Sequence, residues 1–506
     1  MEPSIMPSTI IPTTSWFTPK RLLAIFCVIN LLNYLDQGAI ASNGVNGSTG
    51  IQGDFKLNNF EDGVLSSAFM VGLLVASPIF ASLAQSVNPF RLVGVGLSVW
   101  TLATFFCGFS FNFWSISVGR MLVGVGEASF ISLAPPFIDD NAPASLKTTW
   151  LAMFYMCIPS GYALGYVYGG LIGSHFGWRY AFWVESILML PFAISGFLMK
   201  PLHLKGFVPA DLVKAQVPNT VASGVHVTNA SNGRDESLSF KEEFRDKSSN
   251  DQSKSKSATK MLDQFSRFLI DMKALLLDNV YLINVLGHIG YNFVLGAYSY
   301  WGPKAIYNIY NMTDSDLVFG GITIVCGIVG TLAGGVVLDY MTNTLSNAFK
   351  LLSVTTFLGA VCCFGAFLCR NVNGFLVLFS IGELLVFSTQ GPVNYVCLHC
   401  VKPSLRPLSI AMSTVAIHLF GDVPSSPLVG VLQDSINSWR TTVLILTTIL
   451  FPAAGIWFIG IFVHSMDRFE DVSEHQVSKV ERSCTIPLLQ EKTGETSLSP
   501  AQSEEY

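Results

Sequence analysis

Seven ionisable side chains stand inside long apolar stretches: Asp36, Arg120, Glu127, Glu185, Glu383, His418 and Asp422. At the centre of a membrane-spanning helix such a group costs roughly 2.5–3.5 kcal/mol, so it faces a cavity or a partner rather than lipid. Arg120 and Glu127 are seven residues apart, two helical turns, which sets them on one face about 10 Å apart. Carboxyls exchange protons in such a setting, whereas arginine does not. Asp36, Arg120 and Glu127 therefore form a candidate charge cluster, with Asp36 and Glu127 as proton carriers and Arg120 as the cation that meets an anionic head group. The same residues would also serve as a buried ion-pair network holding one helix to another. Glu383, His418 and Asp422 are secondary candidates. The last two are four residues apart and meet on one helical face, as a second proton site or as local helix stabilisation. Glu185 has no assigned role.

Other chemistry finds little support. Cys397-Leu398-His399-Cys400 has the spacing of a metal or redox motif, but it stands alone at a helix end and reads as packing. No catalytic constellation, metal site or cofactor is expected. No GxxxxGK[ST] loop is present, which argues against nucleotide binding.

The elements that must position these charges follow from composition. Half of the 506 residues are apolar and only 12% are charged, about half the usual roughly 25%. This excludes a disordered chain, a coiled coil, a disulfide scaffold and an ordinary soluble enzyme. A net charge of −5 excludes the basic surplus of a nucleic-acid binder. Twelve apolar runs are long enough to cross a bilayer as helices: 21–43, 62–84, 91–111, 113–136, 148–172, 179–199, 278–301, 315–338, 349–369, 373–398, 408–432 and 439–464. No secretory signal precedes the first. With the N-terminus in the cytosol, 23 of the 29 Lys and Arg residues fall on the cytosolic side and 5 opposite, so both termini are expected to be cytosolic. Asn46 and Asn311 head glycosylation sequons on the opposite side.

The expected organisation is an N-terminal tail (1–19), a six-helix bundle (20–200), a polar cytosolic linker (201–277), a second six-helix bundle (278–465) and a disordered tail (466–506). Within the linker, 261–277 places apolar residues on one face and is expected to lie on the membrane as an amphipathic helix. The bundles repeat. Gly126-Glu127 with Pro136 matches Gly382-Glu383 with Pro392, and Trp178-Arg179 with Pro191 matches Trp439-Arg440 with Pro452. Ala81 and Gln85 stand where Gly335 and Asp339 stand in the second half. Parallel six-span repeats point to alternating access, with the site between the halves near mid-bilayer. The repeat sets Leu376 opposite Arg120, with Phe375, Leu378, Phe379, Leu384, Leu385 and Phe387 around it. That reads as an apolar wall for an acyl tail, or as core or lipid-facing packing.

This organisation resembles the major facilitator superfamily. Asn33-Tyr34-Leu35-Asp36, the run Arg120 to Ser129 and the run Ile158 to Tyr166 resemble the spinster family, and the last resembles its plant homologs in particular. The resemblance implies an all-α polytopic membrane protein with twelve transmembrane helices in two parallel six-helix repeats. It implies a secondary transporter rather than an enzyme, carrying sphingolipids or lysophospholipids, in a late-endosomal, lysosomal or vacuolar membrane. It assigns coupling roles to the matching Asp, Arg and Glu. Two departures stand out. Gln37 occupies a position that is usually Arg, so the head-group region loses one cation. The superfamily's Gly-xxx-Asp-Arg gate loop reads Ala81-xxx-Gln85-Ser86, leaving Asp339 as its one acidic survivor in the other half. The expected partners are an amphiphilic lipid, protons and membrane lipids, with the chain a monomer. A proton-linked carrier of a soluble organic anion or sugar is the alternative; a lipid-modifying membrane enzyme and a non-transporting sensor rank below it.

Overall fold

The computed structural model describes residues 19–83, 87–142, 147–198, 270–341, 344–402 and 405–463. Among them all regular structure is helical. The first half runs α1 (Pro19–Ala41), the short α2 (Asn43–Asn46) and α3 (Ile51–Phe55), then α4 (Asn59–Leu83), α5 (Pro89–Cys107), α6 (Phe113–Asn141), α7 (Lys147–Phe176) and α8 (Trp178–Leu198). The second runs α9 (Asn279–Tyr310), α10 (Ser315–Tyr340), α11 (Leu345–Leu368), α12 (Val372–Phe387) continued by α13 (Gln390–His399), α14 (Arg406–Ile417), a π-helical turn (His418–Asp422), α15 (Val423–Ile436), α16 (Trp439–Thr448) and α17 (Leu450–Gly460). Twelve helical crossings bring Pro19 and Val463, the first and last described residues, to one face, the terminal face; residues 42–58 mark the opposite, loop face.

Eleven of these crossings are long and apolar enough to span a membrane. The twelfth, α7, is 30 residues long but diluted by Gly, Ser, Pro and Tyr. Its glycines have a packing reason. At Gly165 a Cβ would run into Leu35 O and approach Gly38 of α1, so α1 and α7 lie backbone to backbone. Gly161, Gly165, Gly169 and Gly173 pack inside the first half, and Gly170 meets the second half at Asp316.

The repeats in sequence have repeated structural causes. Gly126 lets α6 rest on Gly96 and Trp100 of α5, and Gly382 lets α12 rest on Gly359 and Cys363 of α11. The next residue, Glu127 or Glu383, is rotated by one helical step into the bundle, and both are buried. Arg179 donates to Ser110 O just beyond the end of α5, and Arg440 donates to Phe367 O and Cys369 O at the end of α11. The arginine of each Trp-Arg pair thus satisfies carbonyls at a helix C-terminus.

Most prolines do not interrupt their helices: α4, α6, α7 and α8 run through Pro78, Pro135-Pro136, Pro159 and Pro191. Pro424 differs. It cannot donate to Phe420 O, and the turn just before it is π-helical, a deformation frequent at functional sites. Residues 270–276 are helical and Leu277 is a turn, while residues 261–269 of the expected helix, the linker before it, the tail and Gln85 lie outside the described residues.

Candidate functional site

Helix α1 carries Asn30, Asn33 and Gln37 at helical spacing, with Asp36 beside them, and all four are buried. Arg120 from α6 donates through Nη1 to both oxygens of Asp36, at 2.7 and 2.8 Å. Its guanidinium lies 5.4 Å from the centre of the Phe69 ring on α4. Arg120 is 1% exposed and Glu127 is fully buried. Glu127 does not bond Arg120; its Oε1 accepts from Gln37 Nε2 at 3.1 Å, and Gln37 Oε1 accepts from the Tyr162 hydroxyl at 2.5 Å. The neutral Gln37 is therefore the bridge between Glu127 and α7, a role that arginine, which has no acceptor, would fill differently.

Glu185 of α8 completes the group. It is buried beside the Asp36–Arg120 pair with its carboxyl within hydrogen-bonding reach of that of Asp36, and neither of its oxygens meets any other donor; Glu127 Oε2 and Arg120 Nε are buried without a partner. Three carboxyls thus share one low-dielectric region with one guanidinium. Such a set can take up and release protons, and it leaves Arg120 enclosed rather than presented to a head group.

The secondary candidates separate from this cluster. Glu383 is buried in the second half beside Cys363 and Cys326 and has no ion-pair partner among the described residues. His418 Nδ1 and Asp422 Oδ2 are 2.7 Å apart on the π-helical turn, and Asp422 lies within electrostatic reach of Tyr34 and Tyr162 across the halves. Asp339 is exposed in the last turn of α10. Cys397 Sγ packs against Asn284 and Ser413, and His399 stacks on Tyr395; no group that could hold a metal exists among the described residues. Of the apolar wall, Phe375 and Phe379 are core, stacked at 5.2 Å with Phe367 and Tyr298 around them, while Leu376, Leu378, Leu384, Leu385 and Phe387 are half-buried.

Two expectations need correction. Asn46 is not an available glycosylation acceptor: its Nδ2 is buried and donates to Asp62 Oδ1 at 2.6 Å and to the Tyr300 hydroxyl at 3.0 Å. Asn311, exposed at the end of α9, has no such obstacle. Lys304, which lies beyond the apolar run 278–301 and so counted among the five basic residues opposite the cytosolic side, is not a loop residue either. α9 continues to Tyr310, and Lys304 is buried in it, bonded to Asp62 Oδ2 at 2.7 Å.

That bond belongs to a closure the sequence did not disclose. Tyr300 donates to Asp62 at 2.8 Å and lies within electrostatic reach of Arg120. Asn43 N and Gly44 N donate to Asp316, and Asn59 and Phe60 donate to Asp434. Ser67 bonds Val423 O, and the Tyr166 hydroxyl bonds Ser299 O. Among the described residues, the hydrogen bonds that join the two halves all lie on the loop-face side. The halves are locked together there, above the buried charge cluster.

The Major Facilitator Superfamily profile matches residues 26–421. The chain is 62% identical over 490 residues to the "Probable sphingolipid transporter spinster homolog 2" of Arabidopsis thaliana, covering 94% of each chain. It is 61% identical over 468 residues to spinster homolog 3 of the same organism, covering 89% of this chain and 86% of that one. A crystal structure of a bacterial homolog to the human lysosomal transporter Spinster, inward-facing and occupied, superposes with a TM-score of 0.66 at 14% identity, covering 88% of this chain and 97% of that one. Fold and site together define a multi-pass membrane transporter of two six-helix halves. The chain belongs to the spinster family of the Major Facilitator Superfamily.

Proposed function

We propose that this transporter moves an amphiphilic lipid, of the sphingolipid or lysophospholipid class, by alternating access coupled to protons. The observation that carries the proposal is the enclosed set of Asp36, Glu127 and Glu185 around the single cation Arg120. Uncompensated charge is costly in such surroundings, so the surplus carboxyls hold protons while the site is closed and release them when water enters. The loop-face closure through Asp62, Asp316 and Asp434 is the contact that must break for the halves to rock. The sphingolipid class is supported by what the Arabidopsis relatives are named for. The chain works as a monomer in a late-endosomal, lysosomal or vacuolar membrane, with both termini in the cytosol.

The test is reconstitution into proteoliposomes with an imposed pH gradient and a panel of labelled sphingoid bases, their phosphates, lysophospholipids, sugars and organic anions. Gradient-stimulated flux of the lipids alone is the expected result. Flux confined to the soluble compounds would overturn the lipid assignment, and flux insensitive to the gradient would overturn the coupling.

A further inference from the structure

Two thiols that neither the charge cluster nor the closure uses face each other across the seat of α1 on α7. Cys27 of α1 and Cys157 of α7 are both free and half-exposed. Cys157 Sγ donates to Met153 O on its own helix at 3.5 Å. Its sulfur is left to accept from Cys27 Sγ, which lies within hydrogen-bonding reach. Backbone packing sets this contact. Leu31 and Gly161, each four residues further along their helices, sit so close that a Cβ on Gly161 would lie 2.9 Å from Leu31 O. Asn30 Nδ2 donates to Phe154 O at 2.9 Å, which ties the two helices again three residues from each cysteine. Two sulfurs in contact on helices fixed in this way satisfy the first demand of a disulfide, a short approach between the two side chains.

The pair is placed where a covalent link would matter. Pro159 follows Cys157 by two residues and cannot donate to Tyr155 O, so α7 lacks one backbone bond there and can bend. The same proline meets the second half: a Cβ on Gly327 of α10 would lie 3.1 Å from Pro159 Cβ. The stretch 147–158 therefore hangs below a weak point, on the terminal-face side, where the hydrogen bonds joining the halves are not found. From the terminal-face ends of α1 and α7 the thiols lie about 12 and 15 Å along their helices. That depth excludes a folded protein oxidant and admits a small one that enters the bilayer.

We propose that Cys27 and Cys157 form a redox modification site, at which a hydroperoxide produces a disulfide that clamps the terminal-face part of α7 to α1. One thiol, as its thiolate, attacks the outer peroxide oxygen. It becomes a sulfenic acid, and the departing alkoxide takes its proton and leaves as the alcohol. The second sulfur then attacks the first and displaces hydroxide, which leaves as water with the proton of the second thiol. Two thiols thus lose two electrons and two protons, and ROOH is reduced to ROH and H₂O. A dithiol reductant reverses the link by exchange. The clamp holds 147–158 against α1 and denies α7 its bend at Pro159, so oxidation arrests the terminal-face movement that alternating access requires.

The test uses the full chain in proteoliposomes treated with tert-butyl hydroperoxide and then with dithiothreitol. Peptide mass spectrometry without reduction should find Cys27 linked to Cys157. Amide hydrogen exchange over 147–158 should slow by about ten-fold or more on oxidation and recover on reduction. Cys27→Ser and Cys157→Ser should each abolish both effects, which separates this pair from the other cysteines. Absence of the linked peptide overturns the site. A linked peptide with unchanged exchange overturns the clamp, and slowing that persists in the serine variants assigns the effect elsewhere and overturns it too. Neither measurement needs a transported substrate, so failure here is distinct from failure of the lipid-carrier reading.

Discussion

Asp62 and Lys304, 242 residues apart in the chain, meet in a 2.7 Å ion pair buried between the two halves. Removing one partner of such a pair leaves a buried charge unmatched, at a cost of about 3–5 kcal/mol. The pair exists only when the loop face is closed, so that cost falls on one conformation. Lys304→Met and Asp62→Asn should each shift the population toward loop-face opening, and the double substitution should recover part of the closure. Distances between spin labels introduced at Lys56→Cys and Ser435→Cys in a cysteine-free background check this: the distribution should lengthen in the single variants. An unchanged distribution would mean that the other cross-half bonds suffice.

Coupling and integrity are separable at the charge cluster. Glu127 bonds only the neutral Gln37, so Glu127→Gln removes a proton site without stranding a charge. Uptake in that variant should lose its response to an imposed pH gradient while the melting temperature stays near wild type. Asp36→Asn instead strands Arg120 and should destabilise the fold by about 3–5 kcal/mol. Thermal unfolding of Asp36→Asn with and without Arg120→Gln, read as a double-mutant cycle, should show the second change offsetting the first.

The close seat of α1 on α7 makes Gly165 intolerant of a side chain. Gly165→Ala drives a methyl into Leu35 O, and overpacking of this kind costs about 1–3 kcal/mol. A lower melting temperature in detergent is expected, whereas Gly321→Ala, where a Cβ meets nothing, should leave it unchanged.

At the loop face, the Trp178 indole N–H and then Arg179 hold the Asp54 carboxyl below its ordinary pKa. A folded-state pKa below the unfolded one contributes stability that is present at neutral pH and lost as pH falls through the lowered value. Both ion-pair partners are more than one-third exposed, so the contribution is that of a screened surface pair, about 0.2–1 kcal/mol. Melting temperature followed from pH 6 to pH 3 should fall slightly less steeply in Asp54→Asn than in the wild type.

The two sequons should behave differently. If the chain is glycosylated, Asn311→Gln should abolish the mobility shift produced by peptide N-glycosidase, and Asn46→Gln should not.

The membrane class, the helical crossings, the duplication and the identity of the buried charges were legible in the chain, because each depends on local spacing: apolar run length, residue periodicity, and rare charges in apolar surroundings. Asp36, Arg120 and Glu127 were found in this way. What escaped was pairing. Glu185 had the same local signature as Glu127, but nothing near it in sequence says that α8 turns it toward Asp36. Lys304 read as a loop residue because the apolar run ends before the helix does, and helix α9 is prolonged by a partner supplied from α4. Asn46 fits a sequon by three residues, yet its availability depends on Asp62 and Tyr300, which only packing brings to it.

Sequence by itself thus settled what must be buried and how often the motif of six helices recurs, since burial and helix formation are decided by the residues within one turn or one span. Tertiary structure decided which buried charge faces which, where the halves touch, and which polar groups still have hydrogen bonds to offer, because those depend on contacts between residues as many as 375 positions apart.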